Sequence, residues 1–107
     1  MKHEQRLTSL KEFYPYYLTE HKDTTCRILH FIGTLLFFTC LATALILKNY
    51  QLLWLCPLLG YGFAWVGHFF FEKNKPATFK YPLYSLTSDF ILFFELLLGK
   101  QKFNPNA

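Results

Sequence analysis

Residues 28–47 read ILHFIGTLLFFTCLATALIL, twenty residues without Asp, Glu, Lys or Arg and with one histidine, His30. Residues 52–71, LLWLCPLLGYGFAWVGHFFF, repeat the pattern with His68 as the single exception. Crossing the roughly 30 Å hydrocarbon core of a bilayer takes about 20 apolar residues in a helix, and each run has that length. A chain of 107 residues has room for one domain and cannot bury two such helices in a soluble core. The connection Lys48-Asn49-Tyr50 is too short for anything but a turn, so the two runs form an antiparallel hairpin. The expected fold is therefore all-α, a single integral membrane domain built on helices over 26–47 and 51–72.

The flanks complete this reading. Apolar positions Leu7, Leu10, Phe13, Tyr14 and Tyr17 recur at three- and four-residue spacing, which predicts an amphipathic helix in the 1–25 segment, lying at the membrane interface and kinked or split at Pro15. Residues 1–6 read as a frayed polar tail, and His3 has no expected role. Asp23 or Thr24 is the expected N-cap of the first long helix. Residues 73–82 form a loop with Pro76 and Pro82, and 83–98 form a third, short membrane or interfacial helix. Ser85, Ser88, Asp89, Leu92 and Glu95 share one face of it. Gly33 and Gly67 permit close helix approach near the histidines.

Charge sets the orientation. The net charge is +4, but the basic residues sit at the ends of the apolar runs: Lys2, Arg6, Lys11, Lys22 and Arg27 before the first, Lys73, Lys75 and Lys80 after the second. This distribution is a topology signal and a contact with anionic lipid, not a nucleic-acid surface. It puts the N-terminus and the 73–82 loop in the cytoplasm of a multi-pass protein, with a bacterial inner membrane as the expected location. The first apolar run reads as a retained anchor. Cys26, Cys40 and Cys56 lack CxxC spacing, and Cys40 and Cys56 read as packing residues.

The hairpin brings polar groups to one end. His21 precedes the first helix, His30 lies about one turn inside it, and His68 and Glu72 close the second. Asp89 lies two turns into the third. Imidazole with carboxylate suits a divalent transition metal, and two histidines with a carboxylate and open positions suit non-haem Fe(II). His21 and His30, nine residues apart, can converge only if the chain bends between them. Glu72 is either a ligand or an ion-pairing helix end. Asp89 is a ligand, or a structural group satisfied by Ser85 and Ser88. Arg27 meets lipid phosphate or a carboxylate-headed substrate. There is no GxSxG elbow, phosphate-cradling loop or HExxH, and four histidines are too few for the di-iron sites of membrane hydroxylases and desaturases. Two other classes stay open: a non-catalytic membrane scaffold or lipid-interacting protein, and an electron carrier with His30 and His68 as axial haem ligands.

The segments FYPYYLTEH (13–21), CRILHFIG (26–33) and GHFFFEKNKPA (67–77) resemble the small membrane family related to the fungal 2-hydroxy fatty acid dioxygenase of phytosphingosine breakdown. The resemblance covers about residues 12–99, and the compact chain is similar to a short bacterial-type branch. It implies Fe(II)-dependent oxidation of a 2-hydroxy fatty acid to the acid one carbon shorter, with O2 and without 2-oxoglutarate. It implies essential roles for His21, His30 and His68 as metal ligands, with Glu72 or Asp89 completing the site. The acyl tail is then expected among Phe37, Phe38, Phe69, Phe70 and Phe93, or in adjoining lipid.

Overall fold

The computed structural model describes residues 8–75 and 80–106, so the 1–6 tail with His3, Leu7, and Pro76 of the loop lie outside the described residues. Four α-helices, α1 (Leu10–Thr19), α2 (Thr24–Ile46), α3 (Leu55–Val66) and α4 (Pro82–Leu97), follow in chain order, with no strand among the described residues. A 3₁₀ segment, Tyr50–Trp54, leads into α3, and a π-helical turn, Gly67–Glu72, continues it.

Two spans, Thr24–Ile46 and Tyr50–Glu72, are each 23 residues and long and apolar enough to cross a membrane. At 1.5 Å per residue each reaches about 35 Å. Only 22% of each apolar window is buried inside the protein, whereas the central helix of a soluble domain is enclosed. Leu45, Ile46, Trp54, Leu58 and Phe70 stand exposed, as side chains facing lipid do.

The hairpin is closed by a left-handed Lys48 (φ 56°) and the Asn49 N–H bond to the Ala44 carbonyl at 2.9 Å. At the turn end, the Cys40 and Cys56 thiols both approach the Leu52 carbonyl, at 3.4 and 3.7 Å, as buried packing residues. Toward the other end the helices touch through glycine. A Cβ on Gly33 would stand 2.9 Å from Phe63 Cβ and 3.0 Å from the Gly60 carbonyl oxygen. A Cβ on Gly67 would stand 2.9 Å from Cys26 Sγ. The two expected contact glycines are those that bring the histidine-bearing segments together.

Asp23 is the N-cap of α2, its carboxylate accepting from the Cys26 N–H at 3.0 Å. Helix α1 runs through Pro15 as one ten-residue element rather than two pieces. Its stripe is covered by protein: Phe13 and Tyr17 are fully buried with Tyr81, Leu92 and Leu96, and the Phe13 ring lies 5.1 Å from that of Tyr81. Two tyrosine–carboxylate bonds, Tyr14 to Glu95 at 2.5 Å and Tyr17 to Asp89, fasten α1 to α4. Helix α4, about 24 Å long at 16 residues, turns Ser85, Ser88 and Leu92 inward and leaves Leu83 and Leu97 exposed. Its polar stripe thus faces the rest of the bundle.

Candidate metal centre

Three imidazoles converge where the ends of α1, α2 and the π turn meet. The chain bends between α1 and α2, and this carries His21 back over the first turns of α2, where His30 projects. The π turn supplies His68. His21 Nε2 lies 3.0 Å from His30 Nε2 and 2.9 Å from His68 Nε2. The rings meet edge to face, with centroids 4.4 Å apart for both of these pairs and 5.2 Å for His30 and His68. All three are buried.

The outer nitrogens of His21 and His68 settle the tautomers of those two rings. A backbone carbonyl can only accept, so the contact of His21 Nδ1 with the Tyr17 carbonyl at 2.8 Å puts the proton on Nδ1. His68 Nδ1 meets Asn74 Oδ1 at 2.7 Å, and Asn74 Nδ2 donates to the Glu20 carbonyl and carboxylate at 3.3 and 3.2 Å. Asn74 therefore presents its oxygen, and His68 also carries its proton on Nδ1. Two Nε2 lone pairs then face each other at 2.9 Å with no hydrogen between them. A proton on His30 Nε2 can serve one of them only. Such an array in a buried site is repulsive unless a cation sits among the nitrogens, and an outer N–H held by a carbonyl is the usual support of a ligating histidine. Nitrogens 2.9–3.0 Å apart also match adjacent corners of an octahedron with metal–nitrogen bonds of about 2.1 Å.

Electrostatics agree with ligation. Burial, then the neighbouring His30 and His68, hold His21 well below the ordinary imidazole pKa, which keeps it neutral. Cys26 Sγ belongs to the same group: one donor atom from each of His21, Cys26, His30 and His68 lies within 4.8 Å of every other. His30 Nδ1 is buried without a hydrogen-bond partner among the described residues.

The carboxylates divide. Asp89 joins the site, its Oδ1 3.5 Å from His30 Nε2 and bonded by the Tyr17 hydroxyl. Ser88 Oγ, by contrast, has no hydrogen-bond partner among the described residues; burial, then the Asp89 charge, push the Tyr17 hydroxyl well above the usual phenol range, so it stays a donor. Glu72 does not join the converging donor atoms. Its carboxylate accepts the Asp23 N–H at 2.5 Å, which puts a carboxylate at the positive end of α2 in a capping position. Arg27, expected at lipid or substrate, is buried. Its Nε donates to the His21 carbonyl at 2.6 Å and a terminal nitrogen to the Lys102 carbonyl at 2.9 Å. The guanidinium is turned into the protein because α1 and the C-terminal segment cover it. Phe69 and Phe71 are about half exposed and Phe70 about two-thirds, on the outer face of the π turn.

A cavity of about 330 Å³ opens from this site between α2, α3 and α4. His30 and Asp89 form its polar end, and Thr34, Ala64, Gly60 and Phe37 line its length. Of the expected tail-lining residues only Phe37 borders it. Phe38 instead packs against both Phe90 and Phe93, with centroids 5.4 Å and 5.6 Å away.

Three contributors escape sequence reading. Cys26 stands four residues before His30, a helical same-face spacing that could have nominated it. Asn74 and Tyr17 carry no such signal, since both act through contacts made only on folding.

No curated protein and no solved structure matches the chain. A family profile described as 2-hydroxy-palmitic acid dioxygenase Mpo1-like matches residues 7–101. With nearly the whole chain matched and three buried histidines at its centre, the protein belongs to the 2-hydroxy-palmitic acid dioxygenase Mpo1-like family.

Proposed function

We propose that this protein is a membrane-embedded, Fe(II)-dependent dioxygenase that shortens a 2-hydroxy fatty acid by one carbon. The observation that carries this reading is the convergence of the three Nε2 atoms, His21 lying 2.9 Å from His68 and 3.0 Å from His30. His21, His30 and His68 hold the metal, and Cys26 is a further donor within reach. Bound Fe(II) would supply the one-electron chemistry that activates O2 toward the 2-hydroxy acid. The rest falls to the chain. The Tyr17 carbonyl and Asn74 fix the imidazole tautomers. Asp89, held by Tyr17, accepts a hydrogen bond from the substrate hydroxyl at the polar end of the cavity. Arg27 holds the backbone of His21 in place and is not a substrate partner in this reading. Glu72 secures the start of α2.

The basic flanks support a cytoplasmic N-terminus and 73–82 loop in a bacterial inner membrane, which puts the metal site near the cytoplasmic surface. An axial haem between His30 and His68 has no support in the geometry, because His21 stands in edge-to-face contact with both rings and leaves no slot for a macrocycle.

The test is anaerobic Fe(II) loading of detergent-purified protein, followed by iron analysis and by O2 and product measurement with 2-hydroxyhexadecanoic acid. Stoichiometric iron and the acid one carbon shorter are expected, with both lost in a His21→Ala/His68→Ala variant. Absence of retained iron in the parent would refute the metal reading and leave a non-catalytic scaffold as the better account.

A further inference from the structure

The cavity beside the metal centre has a chemical polarity and a measurable length. Its near end carries His30 and Asp89; from there the lining runs along α3 through Ala64 and Gly60 to Pro57, and along α2 through Thr34 to Phe37. The eight residues from Ala64 to Pro57, seven helical steps, span about 10 Å. Beyond Thr34 the rings of Phe37 and Phe90, with centroids 5.7 Å apart, form part of its apolar lining. An occupant must therefore match a hydrogen-bonding head site at His30 and Asp89 and a long apolar lining. A 2-hydroxy acid carrying an unbranched alkyl tail has that form.

We propose that this cavity is the acyl channel and that Gly60 is the residue that sets how much of the tail it admits. The inference rests on the dioxygenase reading above for the identity of the head group, and on the cavity alone for the tail. Gly60 is the position where added bulk enters the tube without moving backbone: a Cβ built there meets only Phe37, at 3.9 Å, an ordinary contact. Gly33, where a Cβ would stand 2.9 Å from Phe63 Cβ, has no such freedom. An extended, staggered alkyl chain advances about 1.25 Å per carbon, so about 10 Å receives roughly eight methylenes. Carbons beyond that fold back or emerge into lipid. Efficiency then rises with tail length by about fourfold per methylene while the tube fills, and flattens once it is full. A leucine at position 60 displaces about four methylenes by volume and moves the plateau to shorter acids.

Photo-crosslinking reads the site directly in the full chain with Fe(II) bound. The probe is 2-hydroxyhexadecanoic acid with a diazirine near the middle of its tail. Labelling is expected at Phe37, Gly60, Tyr61 or Phe90, to be suppressed by excess unlabelled 2-hydroxy acid, and to fall at least about 10-fold in Gly60→Leu. Leu58→Phe adds bulk on the exposed side of the same helix and leaves labelling unchanged. Labelling at the exposed Leu58, Phe69 or Phe70, labelling that excess acid does not suppress, or labelling insensitive to Gly60→Leu would overturn the channel. Should Gly60→Leu fail to fold, the map and competition in the parent protein decide alone. Competed labelling of the channel without turnover would remove the dioxygenase activity and leave the channel standing. Turnover with labelling elsewhere would remove the channel and leave the activity.

Discussion

Asn74→Ala isolates the support of one histidine without touching any donor atom of the proposed metal site. In the structure the His68 Nδ1–H points at Asn74 Oδ1 at 2.7 Å, and Asn74 is itself pinned by its N–H bond to the His68 carbonyl at 3.0 Å and by its amide bonds to Glu20. His68 is 2% exposed, so water does not replace the lost acceptor. Removal leaves a buried donor unsatisfied, at a cost of about 1–3 kcal/mol, or lets the imidazole move its proton to Nε2, where it blocks the metal. Loss of such an outer partner typically weakens metal binding 10–100-fold, equivalent to about 1.4–2.7 kcal/mol. Anaerobic competition of Fe(II) between protein and a chromophoric chelator measures it, with Lys75→Ala, an exposed neighbour, as the control expected to change nothing. An Asn74→Ala affinity within about twofold of the parent would refute the tautomer argument on which the metal centre rests.

Gly67→Ala should destabilise the folded protein by about 1–3 kcal/mol, because its Cβ would lie 2.9 Å from Cys26 Sγ and 3.2 Å from Cys26 Cα; equilibrium unfolding in mixed micelles gives the value, and a neutral result would mean the hairpin is looser than drawn. Arg27→Met removes the bonds to the His21 carbonyl and to Lys102, so limited proteolysis should cut within residues 98–106 sooner and Fe(II) affinity should fall about 10-fold. The pH dependence follows from His21, whose folded pKa lies below its ordinary 6.5. Between those two values the unfolded chain binds more protons than the folded one, so metal-free protein should keep this contribution above about pH 6.5 and lose stability as pH falls below it, a trend measurable by unfolding at several pH values. His21→Asn should flatten that slope.

The two membrane-length helices were legible because a bilayer crossing demands a long run without charge, and that demand is written in consecutive residues. The short Lys48–Tyr50 connection dictated their antiparallel pairing. Matched depth for His30 and His68 followed from that alone, and the bend that admits His21 followed from the polar residues after Leu18. The roles of Glu72 and Arg27 were not legible. Both stand near the histidines in sequence and carry the right charge, yet their shortest bonds go to backbone groups: the Asp23 N–H for Glu72 and the His21 and Lys102 carbonyls for Arg27. Every residue has such groups, so no pattern of side chains announces them. The packing of α1 on α4 was also hidden, since its Tyr and Phe stripe suits lipid and protein alike. Sequence alone determined where chains of apolar residues must lie and at which end the histidines gather, because solvent transfer acts on each residue locally. Tertiary structure decided which nitrogens meet, which tautomers they hold and which carboxylate joins them, because hydrogen bonds and metal geometry depend on distances of a few ångströms between segments far apart in the chain.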